Sequence, residues 1–119
     1  RSENLRRAAE VAKVVNDAGM ICICAFVSPY QTTRDQAREI LGPDRCMEVY
    51  LSAPVDVCRQ RDTEMYALAD SGKISEFSGV TAPYETPQTA DLTVPTHQID
   101  LEESTERIIA LLRAKGVIG

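Results

Sequence analysis

The run MICICAFV at residues 20–27 is apolar at every position and is closed by Ser28 and Pro29, and no other stretch of the chain constrains the fold as strongly. Strands covered on one face alternate apolar and polar residues, whereas a strand apolar throughout is covered on both, as in the middle of a parallel sheet between helix layers. The run is far too short for the ~18 to 20 residues that cross a bilayer. The charged amino terminus has no signal-peptide pattern either, so a cytoplasmic protein without membrane contacts is expected. Ligands of parallel sheets gather at the carboxyl ends of strands. That rule makes FVSPY, residues 26–30, a candidate site, with Phe26 itself read as core.

The pattern on either side of the run alternates helix and strand. Leu5, Ala8, Ala9, Ala12 and Val15 recur at helical spacing from near Ser2 to about Ala18, and Gly19 is placed to close that helix in a left-handed conformation. Thr33 and Gln36 form a capping box for a second helix that stops at Gly42 and Pro43. Residues 47–51 read as a strand, and Pro54 suits the first turn of a short helix through Arg61. Thr63 would cap a further helical segment ending at Ser71 and Gly72. Residues 73–89 lack periodicity and read as a lid or long surface loop. A short strand at 92–94 and a helix capped by Asp100 and Glu103 follow; Leu101, Ile108, Leu111 and Leu112 form its apolar face and Gly116 ends it. This order predicts one α/β domain with parallel crossovers over residues 1–119.

A net charge of -5 and a pI near 4.8 exclude a general nucleic-acid or anionic-membrane binder, which would need clustered Lys and Arg. Arg1, Arg6, Arg7, Arg34, Arg38, Arg59 and Arg61 nevertheless crowd the first half, while the acidic excess follows Asp62. This asymmetry suits a small anionic ligand. Cys22, Cys24, Cys46 and Cys58 have no C-x-x-C spacing, so no structural metal site is expected and the thiols read as buried and reduced. The lone His97 has no partner in a catalytic spacing and reads as structural or solvated.

Five motifs carry a resemblance: RSENLRR at 1–7, AFVSP at 25–29, VCRQRD at 57–62, FSGV at 77–80 and APYETP at 82–87. In this order they resemble the adenylylsulfate kinase family, with its R-x-E-N-I-R-R, A-F-I-S-P, V-C-x-x-R-D, F-T-G-I and P-Y-E-x-P. The resemblance implies a three-layer α/β/α P-loop kinase-like parallel sheet. It also implies transfer of the ATP γ-phosphoryl group to the 3'-hydroxyl of adenylylsulfate in sulfate assimilation, with Mg2+ entering with ATP.

On this resemblance Arg1 grips the phosphosulfate, for which planar guanidinium donors are well suited. Asn4, one turn along, lies beside the nucleotide, and Val27 and Ser28 meet the acceptor at the strand end. Arg34 lies near the same loop, Lys73 offers a lid cation and Phe77 stacks on the acceptor adenine. Arg61 is the catalytic candidate, closing over ATP from a lid at about 62–89. Several have a plainer alternative: a terminal charge for Arg1, a solvated helix position for Asn4, a strand terminator for Ser28, core for Phe77, and an ion pair with Asp62 or Glu64 for Arg61; Arg38, one turn from Arg34, is read as equally suited to a solvated helix face.

The sequence departs from the family pattern in two places. Thr63 and Glu64 stand where the family has a lysine-containing segment, and residues 67–72 are ALADSG where the family is basic. Further, no G-x-x-x-x-G-K-[ST] occurs in these residues. The N-terminal strand, phosphate loop and helix of such a fold are therefore absent from this chain, and the 119 residues are expected to belong to a longer polypeptide that supplies the ATP and Mg2+ contacts. Fusion to a sulfate adenylyltransferase and a homodimer fit the family. Two alternatives stay open: a catalytically silent adenylylsulfate-binding or regulatory module, and a different small-metabolite P-loop kinase.

Overall fold

The computed structural model describes residues 2–74, 77–80 and 82–119. Helix α1 spans Ser2–Asp17 and α2 Gln31–Leu41; strand β1 is Val49–Ser52; α3 and α4 are Val55–Arg61 and Thr63–Asp70; β2 is Leu92–Pro95 and α5 Leu101–Ala114. The two strands pair in parallel, with Val49 opposite Leu92 and Ser52 opposite Pro95. Thr96 N–H donates to the Ser52 carbonyl at 3.0 Å and extends the ladder to the carboxyl edge. The expected parallel crossover between the later two strands is therefore present.

Two packing contacts organise the elements. Helix α1 lies along α2, and the side chains it buries are Ala9 and Ala12, small enough for two helices to approach closely. Helix α5 packs on β2, whose Val94 is fully buried. Local signals set the ends. Gly19 takes φ 86 after α1, and the Asp100 carboxylate accepts from Glu103 N–H at 2.8 Å to cap α5.

Several expectations require correction. Residues 20–27 form no ladder in this structure: the segment is irregular and Ile23 is 88% exposed. Phe26, read as core, is 47% exposed for the same reason. An apolar run records that a segment needs cover, but a strand also needs a neighbour to receive its N–H and C=O groups, and β1 gives its own to β2. The thiols are also less buried than expected. Cys24 is exposed, its Sγ 3.7 Å from that of Cys22, and Cys22, Cys46 and Cys58 are only half-buried.

The cap assignments shift as well. Helix α2 starts at Gln31 after Tyr30 and has no side-chain cap. Thr33 is already inside it, buried, with its hydroxyl 3.2 Å from that of Ser2. Helix α4 is capped by Asp62, which accepts from Met65 N–H at 3.2 Å, one residue before the expected Thr63. The first strand starts two residues later than expected, at Val49.

Arg38 is no solvated surface residue. It pairs with Asp91 at 2.9 Å and donates to the Cys46 carbonyl, while Asp91 also accepts from Glu48 N–H at 2.7 Å. One carboxylate thus joins α2 to the start of both strands. Burial opposes its ionisation, but the Glu48 N–H and the Arg38 guanidinium outweigh that and hold it below the ordinary carboxylate range. A depressed folded-state value contributes stability that is present above the unfolded pKa of about 4 and is lost as the pH falls further.

Thermal melts from pH 7 to pH 2 should therefore show Asp91→Asn less stable at neutral pH, with a shallower loss of Tm below about pH 4 than the parent. Equal slopes would contradict this role of Asp91. For the exposed run, Ile23→Lys should shift stability by no more than about 0.5 kcal/mol and reduce binding of an apolar dye. A loss of several kcal/mol in chemical denaturation would show that the side chain is covered.

Candidate functional site

The turn after the apolar run lies between two helix starts. Ser2, Asn4 and Leu5 from α1, residues 25–30, and Thr33 from α2 line an open groove of about 280 Å3. The first turns of both helices thus face one space. The positive end of a helix dipole favours negative charge, and at α2 the Glu85 carboxylate already takes that place by accepting from Gln31 N–H. The Ser2 and Thr33 hydroxyls, 3.2 Å apart, fix the two helices at this end.

Ser28 has φ 46 and is the one non-glycine residue at positive φ among the described residues. Such a conformation costs on the order of 1–3 kcal/mol and persists only where the surroundings enforce it. Here Arg34 supplies the constraint. Its Nη1 donates to the Ser28 carbonyl, and Nη2 donates to Gln31 Oε1 at 2.9 Å and to the Glu85 carbonyl at 2.7 Å. The guanidinium lies 5.9 Å from the centre of the Tyr84 ring, which stacks at 6.2 Å on Tyr50 of β1. Burial pushes the Tyr84 hydroxyl up. Glu85 completes the contact: its N–H donates to the Pro29 carbonyl at 2.8 Å and its Oε1 accepts from Gln31 N–H at 2.9 Å.

Of the residues singled out in the sequence, Asn4, Val27 and Ser28 line the groove together. Arg34 is only 8% exposed, and three of its five N–H groups are turned onto protein acceptors. Arg1 lies outside the described residues. Nearby Arg6 and Arg7 are held by Glu3, whose carboxylate the Arg6 hydrogen bond pulls down to about 2.

The remaining candidates lie away from the groove lining. Phe77 meets Tyr66 edge-on with ring centres 4.8 Å apart. Tyr66 in turn carries the Arg59 guanidinium at 5.4 Å, and Arg59 pairs with Asp70. Phe77 opens a turn in which Gly79 N–H donates to the Ala82 carbonyl at 2.8 Å. A Cβ on Gly79 would come within 3.3 Å of Val55 Cγ2, so glycine lets the turn sit against α3. Lys73 is exposed.

Arg61 donates to Thr96 Oγ1 at 3.1 Å and to the Thr96 carbonyl at 2.7 Å, which places it at the carboxyl edge of the sheet rather than in a pair with Asp62 or Glu64. At the same edge, His97 Nδ1 lies 3.2 Å from the Ser52 carbonyl, the structural contact expected for it. Among the described residues no group of three or more His, Cys, Asp or Glu side chains is placed to hold a metal ion.

Sequence reasoning missed Glu85, Tyr84 and Thr33. The first two lie within the APYETP motif, so the signal was present, but their partners are about fifty residues away. The strain at Ser28 gives a direct test. Ser28→Gly should keep or raise Tm, whereas Ser28→Val, β-branched at a positive φ, should cost at least about 1–2 kcal/mol in chemical denaturation. Equal stability of the two variants would show that the turn is not left-handed.

The adenylylsulphate kinase family model matches residues 1–95. An adenylyl-sulfate kinase of Staphylococcus haemolyticus is 45% identical over 119 residues, covering 99% of this chain and 60% of that protein. The bifunctional enzyme CysN/CysC of Rhodopirellula baltica is 42% identical over 119 residues, which are 99% of this chain and 18% of the larger protein. Among solved structures, the Mycobacterium tuberculosis APS kinase CysC in complex with AMPPNP and APS superposes with a TM-score of 0.85 at 33% identity, over 95% of this chain and 66% of that one. The chain thus spans about three fifths of the single-function relative from Staphylococcus haemolyticus.

Proposed function

The chain belongs to the adenylylsulfate kinase family, and on that premise we propose that it carries the acceptor-binding part of an enzyme that moves the γ-phosphoryl group of ATP to the 3'-hydroxyl of adenylylsulfate. The observation that supports this most is the groove in which Asn4, Val27 and Ser28 meet at two helix starts. Adenylylsulfate is a compact dianion attached to a nucleoside. The start of α1 favours its charge, and the Asn4 amide can donate to and accept from it. The Ser28 turn places backbone and hydroxyl groups at the groove wall. The related Mycobacterium tuberculosis structure holds AMPPNP and APS, a nucleotide pair of the same kind.

The other expected residues complete the reading. Arg1 grips the phosphosulfate and Phe77 offers its face to adenine. Lys73 adds a cation from a lid at about 62–89, and Arg61 turns from Thr96 toward the transferring phosphoryl group. Mg2+ arrives with ATP as part of the substrate. The enzyme acts in the cytoplasm as a homodimer, and the CysN/CysC relative makes a fusion to a sulfate adenylyltransferase reasonable.

Phosphoryl transfer from Mg-ATP to adenylylsulfate, measured with the longest native polypeptide containing these residues, tests the proposal. Transfer is expected, and Asn4→Ala should raise KM for adenylylsulfate by about tenfold, the loss of roughly one well-placed hydrogen bond. Tight binding without transfer would instead select the silent binding-module reading. Neither binding nor transfer would end both.

A further inference from the structure

Resting on that reading, we infer that Arg34 and Glu85 are positioning residues that shape the adenylylsulfate groove without touching the ligand: together they fasten the end of the lid to the Ser28 turn. Three observations converge. Ser28 is strained at φ 46, its carbonyl is held by Arg34, and the same guanidinium holds the Glu85 carbonyl 51 residues along the chain. Glu85 answers with two bonds of its own, from its N–H to Pro29 and from Gln31 N–H to its carboxylate. Three hydrogen bonds thus join the segment after the Phe77 turn to the groove wall and the start of α2, and a fourth, from Arg34 to Ser28, ties α2 to the turn.

An arginine that served as a ligand for an anion would keep N–H groups directed at the groove. Arg34 instead spends both Nη2 hydrogens on protein oxygens and one on the Ser28 carbonyl, and its Nε is buried with no partner. Its charge strengthens bonds to carbonyl groups that would otherwise reorient. Lysine, a point donor on a flexible stem, cannot span Ser28, Gln31 and Glu85 at once. The consequence for recognition is that a change at Arg34 is transmitted to substrate through the conformation of Ser28.

The test uses the longest native polypeptide with Arg34→Gln, Arg34→Lys and Glu85→Ala, read by site-resolved hydrogen exchange and by steady-state kinetics. Exchange of the Gln31 and Glu85 amides should accelerate at least about tenfold in Arg34→Gln, while amides in the middle of α1 and α5 keep their rates. The KM for adenylylsulfate should rise about tenfold in Arg34→Gln and in Glu85→Ala, with KM for ATP unchanged and no rescue by lysine. In a Ser28→Gly background, where positive φ carries no strain, the effect of Arg34→Gln on that KM should shrink.

Exchange that is unchanged, or faster everywhere, would overturn the clamp whatever the substrate proves to be. Local acceleration with an unchanged KM would overturn its role in recognition. A parent polypeptide that neither binds nor phosphorylates adenylylsulfate would instead sink the proposed function and, with it, the groove's ligand, while the exchange rates alone would decide the clamp.

Discussion

An arginine with only 8% of its surface exposed is costly to bury unless its guanidinium hydrogens find oxygen acceptors, and the layout of the site follows from how Arg34 places three of its five. The Ser28 carbonyl receives one hydrogen at a residue whose backbone is held in a left-handed conformation. Another goes to Glu85, which draws residues 82–87 against the start of α2. Tyr84 covers the cation with a ring that itself rests on β1 through Tyr50. Hydrogen bonds to a charged group contribute about 1.5–3 kcal/mol each, comparable to the 1–3 kcal/mol of strain at a residue held like Ser28. One side chain therefore offsets the strain at the turn and joins helix, turn and residues 82–87.

An ion pair does the corresponding work at the other end of α2. Asp91 accepts from both Arg38 and Glu48 N–H, so the helix that begins at the groove is tied at its far end to the start of the sheet. Between these two anchors α2 has little freedom to shift relative to β1. Helix α1, packed on α2 through Ala9 and Ala12 and joined by the Ser2 and Thr33 hydroxyls, brings Asn4 to the same groove. The site is thus positioned by elements with buried contacts, although its wall is a turn.

What the sequence made legible was local. Gly19 as a helix end and Asp100 as a cap need only neighbouring residues, and the parallel order follows from alternating patterns. Residues 20–27 were readable as a segment demanding cover but not as to its partners, since pairing depends on backbone from elsewhere. Arg34 and Arg38 stand one turn apart on α2, and the sequence made the first a substrate-binding candidate and the second a solvated helix position. Their fates differ because Glu85 and Asp91 lie 51 and 53 residues away, a separation that no periodicity encodes. The cap of α4 shifted by one residue because Asp62 and Thr63 are both competent and only geometry chooses between them.

The central claim, that adenylylsulfate enters the groove between the starts of α1 and α2, is tested most directly by amide and side-chain NMR of the longest native polypeptide containing these residues during titration with that nucleotide. The account requires saturable shifts at the Asn4 side-chain amide and at the amides of Val27, Ser28 and Tyr30, larger than those of Gln98 and Ile99 beyond β2. Saturable binding that left the Asn4 and Ser28 signals in place while moving others would contradict it.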